Sequence, residues 1–351
     1  MPGTLTGIGV DGRITLAHGG GGSAMRALID KVFLSAFAQG PAAVQEDQAR
    51  LDLAALSARG DRLAFTTDAF VVEPLEFPGG NIGTLAVCGT VNDLAVGGAS
   101  PVALSAAFVL AEGLELALLR RVVDAMAQSA AQAGVRIVTG DTKVVPRHAC
   151  DGLFVTTSGV GVIRPQYNIS IAAGQVGDVV LVNGTLGDHG AAILCARGDL
   201  ALQTSLQSDC APLNTLVETL LHAVPDVHCM RDATRGGVAG VLSELAEASG
   251  LLVKVHEATL PVRPEVEGVC EILGLDPLFL ANEGKLVAVV PASHAQRALA
   301  AMQGHPLGRN AAVIGTLQAS PGGQGGVQIV NEFGGARVLT MPSGEQLPRI
   351  C

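Results

Sequence analysis

The chain has 351 residues, 48% of them apolar and 3% aromatic, with no Trp, 45 Gly and a formal net charge of −10. That size and apolar content suit two packed domains and exclude a disordered chain, which needs low hydrophobicity and high charge. An acidic chain without a lysine-rich run argues against nucleic acid or anionic membranes as partners, and leaves any phosphate to metal ions, backbone N–H groups or single cations.

Residues 1–13 read as an N-terminal extension without a basic-then-apolar leader, which points to a cytoplasmic protein. Gly7-Ile-Gly-Val-Asp-Gly12 matches G-x-G-x-x-G formally, but no strand precedes it and no helix follows, so it fails as a dinucleotide site. Gly19, Gly20, Gly21 and Gly22 come next. Four consecutive Gly free the backbone to wrap an anion, or form a flexible loop before a helix over 24–37. Residues 62–68 read as a strand ending on Asp68. A helix starts at Ile82 and stops at Gly97-Gly98. Residues 94–111 carry no charge, but the Gly97-Gly-Ala-Ser-Pro101 break makes them a helix end, a turn and a buried strand (102–110) instead of a membrane span. A helix over 114–133 closes on Gly134. Strands over 135–143 and 154–162 follow.

Pro, Gly and polar residues over 164–177 place a boundary between domains at 14–165 and 175–340. The second half reads as a strand at 179–182, helices at 191–196, 213–222 and 237–249, a helix opening on Arg263-Pro264, a strand at 286–290, a helix at 295–302 and a last strand at 312–317. Strands and helices alternate in both halves, so the fold class is α/β and α+β. Residues 341–351 hold two Pro and a Gly and read as a mobile C-terminal tail carrying Cys351. About ten extended residues span up to roughly 33–36 Å, enough to move the end from solvent into a cleft. The seven Cys form no C-x-x-C pair, which implies reduced thiols. Cys88, Cys195, Cys229 and Cys270 sit in apolar runs and read as core. Cys351, at the end of this mobile tail, reads as a swinging carrier thiol.

Asp47, Asp68, Asp93, Asp141 and Asp232 each close an apolar segment. A set of hard oxygen ligands from separate loops suits Mg²⁺ with a nucleotide, although a single Asp is more often a cap or turn. Arg231-Asp-Ala-Thr-Arg235-Gly-Gly runs into a helix whose N-terminus and two Arg suit phosphate. There is no Walker A sequence. Lys143 and Glu283 are charged residues in apolar, Gly-flanked settings. They read either as structural or surface charges, or as a cation for developing oxyanion charge and a proton-removing carboxylate.

The chain resembles the hydrogenase-maturation carbamoyl dehydratases, the HypE family, within the aminoimidazole ribonucleotide synthetase and selenophosphate synthetase superfamily. The matching segments include Ala17-His-Gly-Gly-Gly-Gly, Glu46-Asp-Gln-Ala-Arg, Phe65-Thr-Thr-Asp, Cys88-Gly-Thr-Val-Asn-Asp, Val138-Thr-Gly-Asp-Thr-Lys, Gly184-Thr-Leu-Gly-Asp-His-Gly, Arg231-Asp-Ala-Thr-Arg-Gly-Gly, Ala281-Asn-Glu-Gly-Lys and terminal Pro348-Arg-Ile-Cys351. They cover nearly everything after residue 14; the four-Gly run departs from a family that often has Ser there. The resemblance implies a two-domain PurM-like architecture whose N-terminal sheet pairs across a homodimer, with ATP between the domains. It implies Mg²⁺ on Asp47, Asp68, Asp93 and Asp232. Nucleotide contacts are implied from Gly19–Gly22 and Asp141, and Lys143, Glu283 and Cys351 become the catalytic residues. It further implies that a carbamoyltransferase, HypF, loads Cys351, and that a HypC–HypD iron scaffold receives cyanide. Two other readings stay open at this level: a superfamily kinase or synthetase acting on a free small molecule, which leaves Cys351 idle, and a metal-binding scaffold that uses no ATP.

Overall fold

The computed structural model describes residues 12–37, 46–198, 204–341 and 349–351; most of the 1–13 extension and most of the tail lie outside them. In the first half, α1 (Ser23–Leu28) continues through a π-helical turn at Ile29–Leu34 into α2 (Ser35–Phe37), and α3 (Leu53–Ser57) precedes β1 (Arg62–Phe70). Two short strands, β2 (Glu76–Phe77) and β3 (Gly80–Asn81), lead into α4 (Ile82–Val96). Then come β4 (Ala99–Ala111), α5 (Leu116–Ala133), β5 (Arg136–Val145) and β6 (Leu153–Ile163). The sheet order is β1-β6-β4-β5, with β4 and β5 parallel and the other pairs antiparallel. Pro101 lies inside β4, which starts three residues before the sequence reading placed it. A register shift between Pro101 and Ala103 lets the sheet tolerate a residue that cannot donate.

Asn81 caps α4, its Oδ1 accepting from the Gly83 and Thr84 N–H groups. Helix α4 is apolar all round, and Ile82, Leu85, Ala86, Val87 and Val91 are fully buried. It packs on the sheet and α5 on one side, and on the second half of the chain on the other. The opposite face of this sheet is open, with Leu63 61% and Phe65 71% exposed.

Residues 164–178 lead to the second sheet. Its elements are β7 (Val179–Val182), α6 (Asp188–Ala196), α7 (Asn214–Ala223), β8 (Cys229–Asp232), α8 (Gly237–Ser249) and β9 (Leu252–His256). They continue with α9 (Pro264–Leu273), β10 (Leu286–Val290), α10 (Ala295–Gln303), β11 (Ala312–Gln318), β12 (Gly326–Val330) and β13 (Ala336–Leu339). The sheet order is β13-β12-β9-β11-β7-β10-β8. One face packs on α8 through Val180, Val182, Val287 and Val289; the other packs on α7 and α10 through Leu181, Leu286, Ala288 and Val290. Burial on both faces explains why β10 is an unbroken apolar run. The core does not finish at β11 as the sequence reading had it. β12 and β13 extend it, and β8 and β9 were also missed. All seven Cys are free thiols; Cys88, Cys229 and Cys270 are buried as expected, and Cys195 is half-buried. Among the described residues, no helix is long and apolar enough to cross a membrane.

At Gly83 the backbones of α4 and α5 almost touch: a Cβ there would lie 2.2 Å from the Val122 carbonyl oxygen and 2.8 Å from Met126 Cγ. Gly83→Ala is therefore expected to destabilise the protein by about 1–3 kcal/mol. The check is a lower urea midpoint at unchanged m-value; a midpoint equal to the parent's would show that the helices separate without cost.

Candidate active site

Asp68 lies on the helix-covered face of β1, Asp93 on α4 and Asp232 at the end of β8. Asp93 Oδ2 accepts from the Thr66 hydroxyl at 2.8 Å. The three carboxylates sense one another. Burial and then Asp93 push Asp68 up to about 6, with Arg235 opposing. Burial, then Asp93 and Asp68, push Asp232 up to about 7, against Arg231. Burial raises Asp93 too, against the Thr66 hydrogen bond, Arg231 and Arg235. Arg231 on β8 and Arg235 in the loop before α8 both act on the acids. Arg231 also pairs with Glu244 at 3.1 Å.

Glu283 stands beside this group on a loop tied down by hydrogen bonds on both sides of it. Its N–H and that of Gly284 donate to the two oxygens of Asp209, at 3.0 and 3.2 Å. Its carbonyl accepts from Asn92 Nδ2 of α4. Asn282 ties the loop to Ala233, Leu280 and Gly187. Gly284 is required there, since a Cβ would lie 1.9 Å from the Asp209 carbonyl oxygen. Asp209 also holds Lys285 Nζ at 2.8 Å, with both side chains nearly inaccessible. Burial raises the Asp209 carboxyl, but Lys285 and the Glu283 N–H outweigh it and hold the group below its ordinary range. Glu283 has no such support. Its Oε1 is buried without a hydrogen-bond partner among the described residues. Burial, then Asp209 and Asp232, push its pKa well up. Asp209 escaped the sequence reading because it lies some seventy residues from its partners and in no recognisable motif. Lys285 was inside a quoted motif but had no role.

Lys143, Asp141 and the Gly loop lie elsewhere. Asp68 aligns across the sheet with Thr157, Ala106 and Gly140, so three strand spacings, roughly 14 Å, separate it from β5. Residues of one cross-strand row share a face, and Lys143 and Asp141 fall on the rows that face outward. Their side chains are exposed and meet each other at 3.7 Å. Gly19 lies against Val144 of β5, which puts the start of the Gly run at that edge strand. Asp47 is exposed in the loop before α3, and no described hydrogen bond or ion pair joins it to the acids.

Cys351 is docked. Its carbonyl accepts from Val71 N–H at 3.2 Å, and the Arg349 carbonyl accepts from Glu73 N–H at 3.2 Å, so the last residues pair antiparallel with the continuation of β1. Ile350 is 4% exposed. Arg349 Nη1 reaches Glu73 and Asp151 at 2.9 and 2.8 Å. The Arg197 guanidinium donates to the Glu73 and Arg349 carbonyls. Val71 is three residues, about 10 Å of strand, beyond Asp68.

The acids fit Mg²⁺ arriving on a nucleotide. Asp93 raises both Asp68 and Asp232, and Asp68 raises Asp232, so a cation among these carboxylates would relieve that repulsion. Among the described residues no three His, Cys, Asp or Glu side chains are close enough to hold an ion alone. Mg²⁺ commonly takes one or two carboxylates and completes its shell with phosphate oxygens and water.

Comparison with known proteins accords with this geometry. The AIR synthase related protein N-terminal domain matches residues 45–163, and the C-terminal domain of the same family matches 175–328. A carbamoyl dehydratase HypE of Rhodobacter capsulatus is 60% identical over 97% of this chain and 99% of its own. The crystal structure of a hydrogenase maturation protein HypE in complex with ATP superposes with a TM-score of 0.90 at 45% identity, covering 96% of this chain and 99% of that one. A HypE–HypF complex superposes at 0.77 with 42% identity, covering 90% of this chain and 100% of the matched one. The chain belongs to the carbamoyl dehydratase HypE family of AIR synthase-related proteins.

Proposed function

We propose that the protein uses ATP to dehydrate a carbamoyl group carried on the Cys351 sulfur, giving a thiocyanate that supplies cyanide to the iron of a [NiFe]-hydrogenase. The observation that carries this reading is the docked terminus: Ile350 is buried and Cys351 is paired onto the strand that bears Asp68. An enzyme acting on a free small molecule has no use for that arrangement. The HypE–HypF complex supports a HypF-type carbamoyltransferase as the loader; the acceptor in this reading is a HypC–HypD iron scaffold.

With ATP between the two domains, taken as 14–165 and 175–340, the carbamoyl oxygen attacks the γ-phosphorus, ADP leaves, and the first of the two nitrogen protons passes to water. The carrier then holds an O-phosphorylated isothiocarbamate, S–C(=NH)–O–PO₃. Loss of the remaining N–H proton and cleavage of the C–O bond release phosphate and leave S–C≡N. The sum is carbamoyl thioester plus ATP giving thiocyanate, ADP and phosphate. Phosphorylation converts a poor leaving group, hydroxide, into a good one. Glu283 is the base for the nitrogen proton: a carboxylate with its pKa raised by burial and by Asp209 and Asp232 is a stronger base than an exposed one. Arg231 and Arg235 hold phosphate oxygens beside the acids. Bound with the nucleotide on Asp68, Asp93 and Asp232, Mg²⁺ would neutralise triphosphate charge and the charge spreading over the transferred phosphoryl group.

Lys143 cannot serve its own acid cluster, from which it is separated by the width of the sheet. A homodimer resolves this. The open face of the N-terminal sheet, with Leu63 and Phe65 exposed, is an apolar surface suited to a second copy. β1 is an edge strand, so a group on the docked copy has one strand to pass to reach Asp68. The partner subunit's Lys143, Asp141 and Gly loop then complete the nucleotide site, with the partner subunit's Lys143 steadying phosphoryl charge.

Intact-mass analysis after loading with carbamoyl phosphate and the carbamoyltransferase is expected to show a carbamoyl adduct on Cys351, then loss of one water when ATP is added. An unmodified Cys351, or an adduct that never dehydrates, rules the reading out. Cys351→Ala should take no adduct, and Glu283→Gln should load and bind ATP but dehydrate at least 100-fold more slowly, the scale of a lost general base. Chelating divalent ions should weaken ATP binding at least tenfold, because unscreened acids then face the triphosphate; calorimetry with and without EDTA decides this. Lys143→Ala and Glu283→Gln proteins, each inactive alone, should recover roughly a quarter of parental activity when subunits are exchanged, since half the dimers are mixed and each has one intact site. No recovery from confirmed mixed dimers would place Lys143 in its own subunit's site.

A further inference from the structure

We propose that His189 is a positioning residue for the tail: it holds the docked carrier by its backbone and, through Ser208 and Asp209, ties docking to the loop that bears Glu283. This rests on the reading of Cys351 as the cargo carrier. His189 is the second residue of α6, in a Gly-Asp-His-Gly run to which the chemistry above gives no work. It is fully buried, with its ring edge-on to Phe77 at a centroid distance of 5.5 Å.

The hydrogen bonds fix its tautomer. Nε2 lies 2.7 Å from the Ile350 carbonyl oxygen, which can only accept, so Nε2 carries the proton. Nδ1 therefore accepts, and its neighbour at 2.8 Å is the Ser208 hydroxyl. Ser208 Oγ accepts in turn from Cys210 N–H at 3.1 Å. Ser208, Asp209 and Cys210 are consecutive. The first reads His189, and the second holds the N–H groups of Glu283 and Gly284 and the Lys285 ammonium. The third lies against Cys88 of α4, close enough for their thiols to hydrogen-bond. A shift of His189 on tail departure is thus passed by one three-residue segment to the backbone of the candidate base.

Without the tail, the Nε2 proton is a buried donor facing an empty place, so docking is favoured by satisfying it. The contact is to a main-chain carbonyl and the neighbouring anchors are Ile350 and Arg349. The described anchors therefore recognise the chain, whatever group the sulfur carries.

The test uses the full-length protein with two readouts. The first is the rate at which iodoacetamide alkylates Cys351, resolved by peptide mass spectrometry, which needs neither ATP nor carbamoyl phosphate. The second is single-turnover dehydration of preloaded protein at saturating ATP. His189→Leu is expected to raise the alkylation rate at least tenfold and slow dehydration at least tenfold, with carbamoyl loading and the Kd for ATP unchanged. His189→Gln, whose amide N–H can still reach the carbonyl, should recover most of the docking. Ser208→Ala removes one hydroxyl, leaves the tail contact in place and should slow dehydration while alkylation stays within twofold of the parent. Parental values of both rates in His189→Leu overturn the proposal. So do parental dehydration rates in Ser208→Ala, which decide the matter if His189→Leu does not fold. A parent protein that loads but never dehydrates instead defeats the functional reading, and the alkylation readout remains valid in that case.

Discussion

Helix α4 has no polar side to turn toward water. A helix apolar on every face is stable only when packed on every face, so it lies between the first sheet, α5 and the second half of the chain. Everything it carries is placed by that constraint. Asn92 accepts from Leu213 N–H through Oδ1 and donates to the Ala211 and Glu283 carbonyls. Asp93, one residue on, meets Thr66 of β1 and the charges of Asp68 and Asp232. Elements from both halves of the chain meet at the acids because both bury their apolar surface on the same helix.

Around that helix two carboxylates a few ångströms apart in chain contact are treated in opposite ways. Asp209 is buried but receives an ammonium and two backbone N–H groups, so it stays ionised. Glu283 receives nothing at Oε1 and is surrounded by other acids. A buried charge left without partners is costly, and such groups concentrate where chemistry is done. The surrounding loop is rigid by contrast: Asn282, Gly284 and Lys285 are each fixed by neighbours, which points the one unsatisfied group into the seam. Separate environments of this kind are how one fold keeps two neighbouring carboxyls with opposite proton affinities.

Much of this was legible in the sequence. The terminators Gly97-Gly98 and Gly134, the Pro264 start and the apolar run at 286–290 all carried local signals that packing obeyed. The strand at 326–330 was hidden because Gly and Pro on its N-terminal flank read as loop, and its alternation is short. β8 and β9 are similarly brief. Four of the charged site residues, Asp68, Asp93, Asp232 and Glu283, do gather, but the reason is the burial of α4, which a residue pattern cannot show. Lys143 and Asp141 sit two residues apart, so their common face was readable from strand parity. That this face looks away from Asp68, across the whole sheet, depends on strand order, which no local pattern contains. Asp209 and His189 were missed for the same cause: their partners lie far along the chain.

The forces on the docked terminus are of comparable size and opposite sign. Arg349 has φ of 54°, a left-handed conformation that costs a non-glycine residue about 1–2 kcal/mol. Its ion pairs to Glu73 and Asp151 are half exposed, and such pairs contribute about 0–1 kcal/mol each. Burying Ile350 contributes about 1.5–3 kcal/mol. Against these stands the ordering of three backbone residues, at about 1–2 kcal/mol apiece. The hydrogen bonds from the Val71 and Glu73 N–H groups, from His189 and from Arg197 contribute roughly 0.5–1.5 kcal/mol each. The sum lies near zero, so docked and released tails differ by little and exchange between them is not blocked by either state. On the proposed reading, in which the tail is loaded by one protein, reacted and emptied onto another, that balance lets it serve each step.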